Sequence, residues 1–247
     1  LKPALSISEA DWALIDEGLQ SKFHSSYSVQ HAIVSDVYGL KFLDGVWTLI
    51  PNDPRWKVLS VDFLSVSWEE RVRRTWNSKE TLRDSLKFKK GDKLRIADAT
   101  AGLCSDAFMM AQWGHSVLAF EQNPLTYLIT KDALDRYRAQ GASLDLELKC
   151  ESFTDVTPAQ VDRVYIDPLY PERPKDALNK KELRILHAIS SGQEQRDLNE
   201  FLNRAILWNP RSLVIKRPQW AESTLWNAKA PTVYSGKTTR FDVYWVQ

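Results

Sequence analysis

The sequence predicts an α/β fold: a mainly parallel sheet wound with helices, preceded by a small N-terminal α+β domain. Three observations carry this expectation. From residue 94 onward, short apolar segments alternate with helix-like ones, the pattern of parallel strands joined by crossover helices. The last two strand-like segments follow each other with no helix between them, which predicts an antiparallel edge. The first 60 or so residues lack this alternation and consist of short, irregular elements.

In chain order, GLKFLDGVWTLI (Gly39–Ile50) predicts a hairpin around Asp44-Gly45, because that pair tolerates the positive φ of a tight turn. Pro51-Asn52-Asp53-Pro54 breaks the chain, and WKVLSVDFLSV (Trp56–Val66) favours strand. Trp68 to Lys87 is mostly helical and basic, and Lys90-Gly91-Asp92 is a turn. The domain boundary is therefore expected near residue 90, with an N-terminal domain and basic connecting segment over 1–90 and the core over 91–247. Within the core, LRIAD (Leu94–Asp98), SVLAFE (Ser116–Glu121), LDLELKC (Leu144–Cys150), RVYID (Arg163–Asp167) and SLVIK (Ser212–Lys216) are the strands. Helices are expected over Asp106–Trp113, from Pro124 towards Tyr137, over Lys180–His187 and over Leu198–Leu207. Pro124 suits a first helical turn, where its missing N–H loses nothing. TVYSG and RFDVYWV close the chain as a hairpin pair.

With 247 residues and 43% hydrophobic content, the chain has enough material for a sizeable core and is not generally disordered. No apolar run approaches the roughly 18 to 20 residues that span a bilayer, and LKPALSISEADW has no apolar signal core. A cytoplasmic protein without membrane contact is expected. Cys104 and Cys150 have no partner at metal-ligand spacing, and the four histidines form no short ligand motif. Two buried thiols and no metal follow as the expectation. The net charge of +1 hides a local bias. Arg71 to Arg95 carries ten basic residues against three acidic ones, enough to attract phosphates without reading sequence. Trp113 should pack against the sheet, whereas Trp76, inside the basic run, is a candidate for stacking.

Ligands of open α/β sheets bind beyond the carboxyl ends of the strands. Asp98-Ala99-Thr100-Ala101-Gly102-Leu103-Cys104-Ser105-Asp106 follows the first core strand, with Gly102 allowing close approach and Asp106 placed to cap the next helix. One glycine stands where a dinucleotide fingerprint needs three, so a pyrophosphate is disfavoured and a cofactor without phosphates is not. Glu121 ends the second strand, where a carboxylate can accept both hydroxyl protons of an adenosine ribose. Asp167-Pro168-Leu169-Tyr170-Pro171 follows the fourth strand as a proline-stiffened loop presenting a carboxylate beside a ring. The carboxylate suits an exocyclic amine, and the ring suits the base that carries it. Such an amine is a poor nucleophile. It must be oriented, and the positive charge that develops on it must be tolerated, which a positive neighbour would oppose.

These segments resemble the bacterial 16S ribosomal RNA guanine-N2 methyltransferases of the J type. DATAGLCSDAF (Asp98–Phe108), FEQNP (Phe120–Pro124) and YIDPLYP (Tyr165–Pro171) carry the likeness. LNKKELRI (Leu178–Ile185), VIKRP (Val214–Pro218), RFDVY (Arg240–Tyr244) and, upstream, VDF (Val61–Phe63) extend it. The resemblance implies a Rossmann-like class I S-adenosylmethionine-dependent core with a small N-terminal domain, acting on small-subunit ribosomal RNA or a ribosomal particle. Asp98, Ala99, Thr100, Gly102, Ser105 and Asp106 would hold S-adenosyl-L-methionine, together with Glu121 at its ribose, Gln122, Ser152 and Asp167. Asp167, Pro168 and Tyr170 would form the catalytic set at the target guanine. Arg73, Arg74 and Lys79 in the basic run would contact RNA, as would Lys180, Lys181, Arg184, Lys216 and Arg217 flanking the cleft. Cys104-Ser105 replaces the family's Gly-Arg, so the cofactor loop is expected to reach positive φ less easily. A dehydrogenase lacks the glycines it would need here. An adenine-N6 or cytosine-N4 methyltransferase, or a non-catalytic RNA-binding protein on the same fold, remains compatible with the residues.

Overall fold

The computed structural model describes residues 2–31, 38–51, 53, 57–77, 80–89, 91–168, 198–222, 226 and 230–246. They fall into two compact units. The first takes the chain up to Phe63 together with Asn123–Gln140, and the second takes Leu64–Gln122, Gly141–Tyr170 and Arg196–Gln247. The sequence places its change of character near residue 90, but the first division between units falls at residue 63. Residues 64–89, including most of the basic run, thus group with the large sheet.

The first unit is built on four strands: β1 (Ala4–Ile7), β2 (Ser28–Gln30), β3 (Tyr38–Leu43) and β4 (Val46–Ile50). Their order is β2-β1-β3-β4, with β1 parallel to both neighbours and β3–β4 antiparallel. The β3–β4 hairpin turns at Asp44 and Gly45, both at positive φ (49° and 80°), as the Asp-Gly signal requires. Helices α1 (Glu9–Trp12) and α2 (Glu17–Ser26) begin at Ser8 and Asp16, whose side chains accept from Asp11 N–H and Leu19 N–H. Of the strand expected over Trp56–Val66, the described residues 57–66 form none. Among the described residues a bridge from Leu49 to Leu59 is the pairing there. The apolar residues Leu59, Val61 and Phe63 are buried without a ladder.

The second unit contains α3 (Val66–Asn77), α4 (Thr81–Leu86), β5 (Arg95–Asp98), α5 (Ser105–Gln112), β6 (Ser116–Phe120), β7 (Leu146–Lys149) and β8 (Arg163–Ile166). It ends in α7 (Leu198–Ala205), a 3₁₀ turn at Ile206–Trp208, then β9 (Ser212–Pro218), β10 (Thr232–Ser235) and β11 (Thr239–Trp245); the helix α6 (Pro124–Ala139) belongs to the first unit. Seven strands lie in the order β7-β6-β5-β8-β9-β11-β10. β7, β6, β5, β8 and β9 are parallel, while β11 runs antiparallel to both β9 and β10. All four residues of β8 are buried, as a central parallel strand demands. The core gathers Phe120, Phe153, Ile166, Leu202, Trp208 and Leu213, with Phe153 and Trp208 stacked at 5.0 Å. Trp113 is buried and its indole N–H donates to Thr75. Strand order reverses between β5 and β8, which makes their carboxyl ends the crevice of the sheet.

Asn123 shows that part of a motif can be structural. Its side chain caps α6 by accepting from Leu125 N–H and Thr126 N–H, and it exchanges hydrogen bonds with the Tyr27 hydroxyl. The helix expected over 180–187 lies outside the described residues.

Candidate active site

Asp98 closes β5 with its side chain 1% exposed. Its Oδ1 accepts from Thr100 N–H at 3.0 Å, which turns the chain out of the strand. The loop is then pinned from both sides: Ala99 N–H donates to Tyr165 O and Ala101 N–H to Phe120 O, each at 2.9 Å. Gly102 sits at φ 52°, with no heavy atom within 4 Å of where a Cβ would stand. Cys104 sits at φ 55° although it is not glycine. Cys104 thus adopts the conformation that was expected to come less easily to it than to a glycine. Its buried side chain fills the core edge, and Cys104 N–H donates to Ala101 O at 2.7 Å. A left-handed L-residue costs about 1 kcal/mol, which such packing outweighs. The second thiol, Cys150, is only half-buried.

Asp106 does not cap α5; Cys104 occupies that position without a side-chain bond. Asp106 instead anchors a charge cluster. Tyr165 Oη donates to its Oδ2 at 2.7 Å, Lys216 Nζ to the same oxygen at 2.8 Å, and Arg71 lies 3.5 Å from Oδ1. Arg71 is also held over the Trp68 ring at 4.7 Å. Lys216 Nζ donates equally to Asp167 Oδ2 at 2.8 Å. Asp167 N–H in turn donates to Thr100 Oγ1 at 2.6 Å, joining the end of β8 to the loop after β5.

This arrangement shifts the protonation equilibria of the cluster. Burial pushes Asp98 well above its usual range, and Asp106 and Asp167 add to the push, against the hydrogen bond from Thr100. For Asp106 burial acts upward too, but the charge and hydrogen bond of Lys216 prevail and hold the carboxyl below its usual value. Asp167 stays raised by desolvation, with Lys216 pulling the other way. Lys216 itself loses by burial and gains more from Asp167 and Asp106, so it is firmly cationic. Burial, then Asp106, keeps the Tyr165 phenol protonated as a donor.

Register places the expected residues on neighbouring strand ends. Asp98 pairs with Ala119 on β6 and with Tyr165 on β8, so Glu121 and Asp167 each lie two residues past its row. Glu121 N–H donates to Lys149 O at 3.0 Å, continuing the β6–β7 ladder. Gln122 is exposed, and Ser152 Oγ lies 3.0 Å from Thr154 Oγ1. Arg73 and Arg74 are exposed on α3. Pro168 follows Asp167 half-buried. Tyr170, Lys79, Lys180, Lys181 and Arg184 lie outside the described residues.

Two expected RNA contacts are otherwise engaged. Lys216 belongs to the carboxylate cluster. Arg217, 4% exposed, pairs with the fully buried Asp242 at 3.0 Å, and Arg240 shares that carboxylate at 2.8 Å. Arg217 is thus a core ion pair, since a buried carboxylate needs its partners. Tyr165 and Arg71 were not anticipated. The strand-end position of Lys216, one strand from Asp167, was the available signal for the cluster.

The set fits a cationic, phosphate-free cofactor. Among the described residues, the three carboxyl groups of Asp98, Asp106 and Asp167 gather about the two cations Lys216 and Arg71, an acidic set suited to a sulfonium and an amino group. A family model of S-adenosylmethionine-dependent methyltransferases matches residues 35–246. Ribosomal RNA small subunit methyltransferase J of Shewanella pealeana is 33% identical over 220 residues, covering 84% of this chain and 86% of that protein. The chain belongs to this methyltransferase family. The J-type methyltransferase of Photorhabdus laumondii is 33% identical over 202 residues, covering 78% and 80%. Among solved structures, an S-adenosylmethionine-dependent methyltransferase from Neisseria gonorrhoeae shares the fold, with TM-score 0.67, 22% identity and coverage of 98% and 95%. As in this family generally, S-adenosylmethionine is the cofactor.

Proposed function

We propose that this methyltransferase acts on the exocyclic N2 amine of a guanosine in small-subunit ribosomal RNA, in the cytoplasm, on naked RNA or on a ribosomal particle. The observation that carries the target chemistry is Asp167 at the crevice of the sheet. Its carboxylate is 35% exposed, braced by Lys216 through Oδ2 and by Thr100 through its backbone N–H. The names of the curated relatives support the RNA.

Asp98 and the turn through Gly102 would hold the methionine part of S-adenosylmethionine, and Glu121 its ribose hydroxyls. When bound, that cofactor supplies an electrophilic methyl group on a positive sulfur. The chain's own work is then to present the amine. Asp167 accepts a hydrogen bond from the N2 amine, which turns the nitrogen lone pair away from the carboxylate and out of conjugation with the base. As the nitrogen becomes positive, the carboxylate stabilises it and is the acceptor for the proton it sheds. The raised pKa of Asp167 favours that last role. Lys216 does not cancel it: it holds Asp167 in place while Asp106 absorbs part of its charge. Tyr170 is assigned, from sequence, to stack on the guanine.

The test is methyl transfer from labelled cofactor to small-subunit RNA, followed by nucleoside identification. N2-methylguanosine is expected; N6-methyladenosine or N4-methylcytidine would overturn the target. Asp167→Asn keeps shape and an acceptor oxygen but loses the charge. It should lower single-turnover rate about 100-fold or more with cofactor and RNA affinity nearly unchanged. Near-wild-type chemistry in that variant would remove Asp167 from the reaction.

A further inference from the structure

The second unit carries a cleft of about 720 Å³ between the α3–α4 corner and the edge strand β10. Its wall combines aromatic faces with cations. Trp76 is 44% exposed at the end of α3. Tyr234 on β10 has Lys87 Nζ 5.7 Å above its ring, and Phe88 lies beside them. Arg83 Nη1 donates to Thr75 O at 2.7 Å, which fixes the corner where Trp76 stands. One acid, Asp84, lines the same cleft.

Register ties this cleft to the active site. Tyr234 pairs with Phe241, and Phe241 pairs with Lys216. Residues directly opposite across antiparallel strands share a face of the sheet, so all three stand in one row on one face. Tyr234 is therefore two strand spacings, about 10 Å, from the lysine that braces Asp167. The Phe241 ring also lies 6.4 Å from that of Tyr165, whose hydroxyl meets Asp106. The cleft includes Trp76 at the end of α3, the helix that exposes Arg73 and Arg74.

We propose that this cleft binds the RNA strand flanking the target nucleotide, with one unpaired base stacked on Trp76 and Tyr234 and its phosphates met by Lys87 and Arg83. The inference rests on the RNA reading above and gives it a path. Aromatic faces suit any base, and flanking cations suit the backbone. A protein strand added to the β10 edge would need neither feature.

The experiment measures binding of a small-subunit ribosomal RNA transcript, and of matched short oligoribonucleotides with normal or abasic residues, to wild type, Trp76→Ala, Tyr234→Ala and Tyr234→Phe. Affinity for S-adenosylhomocysteine serves as the control for folding. Trp76→Ala and Tyr234→Ala should each weaken RNA on the order of tenfold, and Tyr234→Phe hardly at all. Wild type should prefer the normal oligonucleotide to the abasic one, and Trp76→Ala should lose much of that preference. A variant that lost cofactor binding too would leave the decision to the exposed Trp76 and to Lys87→Glu. Undiminished RNA affinity across the variants overturns the cleft alone. A wild-type chain that ignores the transcript overturns the RNA reading with it. Loss confined to assembled ribosomal subunits would assign the cleft to a protein and also overturn the proposal.

Discussion

Asp98 is the residue at which stability and function oppose each other. Its carboxyl is buried beside two other acids, with one backbone N–H to satisfy it. Its native pKa lies well above the ordinary 3.8. The native state therefore holds this proton to higher pH than the unfolded chain does. The stabilising contribution is fully present below pH 3.8 and lost as pH rises through the native pKa. Asp98→Asn removes that loss while keeping the acceptor for Thr100. At pH 7.5 the variant should melt about 2–4 °C higher for each kcal/mol gained, and the difference should disappear towards pH 4. The same substitution deletes the charge that faces the cofactor's cationic part, so S-adenosylmethionine should bind about tenfold or more weakly. A variant that is no more stable at neutral pH would show that Asp98 carries no strain. The geometry here was half legible in the sequence: Asp98 and Asp167 end apolar segments, and the structure ends β5 and β8 within one residue of them. Lys216 was read only as a phosphate contact because its partners lie far away in sequence and are brought together by strand pairing.

At the scale of elements, periodicity located the core strands because each is short, apolar and bounded by turns. It failed where pairing comes from distant chain. β1 and β2 have three or four residues each, and their parallel partnership joins residues 4–6 to 28–30, with no local turn to announce it. Trp56–Val66 has strand-like composition but one bridge, since burial alone can place apolar residues without a ladder. Cys104 escaped in the opposite direction: a residue poorly suited to positive φ adopts it because β5, β6 and β8 fix the loop around it. The basic run also resolves by element. Arg71 turns to Asp106 and Lys93 to Asp145 at 2.8 Å, whereas Arg73 and Arg74 are exposed on α3. Of the α3 cations, the exposed pair should act on RNA. Charge reversal at Arg73 and Arg74 should lower RNA affinity at low salt and reduce the slope of log K against log salt by about 1 to 2. Cofactor affinity should stay as it was. An unchanged slope would make α3 a solvated surface with no part in RNA binding.

For the molecule as a whole, the cofactor site is assembled from parts that no short segment contains. Asp98, Asp106, Glu121, Asp167 and Lys216 come from β5, α5 and the ends of β6, β8 and β9, and Arg71 joins them from α3. Unfolding the sheet must scatter them, so the unfolded chain has no comparable site. A ligand that binds only the native state stabilises it by RT ln(1 + [L]/Kd), about 2.7 kcal/mol at a hundredfold excess over Kd. For a domain of this size that is an upward shift of roughly 5–10 °C in the thermal midpoint. S-adenosylhomocysteine should produce such a shift, and NAD should not, because the loop after β5 has one glycine and no pyrophosphate cradle. The shift from S-adenosylmethionine should grow as pH rises above the ordinary carboxylate range, since ionising Asp98 strengthens the hold on a cation. Differential scanning at several pH values, with and without each ligand, reads all of this in one experiment. An equal shift from NAD would sink the cofactor geometry proposed here. A shift from S-adenosylmethionine that is flat with pH would instead show that the acidic surplus at the crevice does not face the cofactor's positive charge.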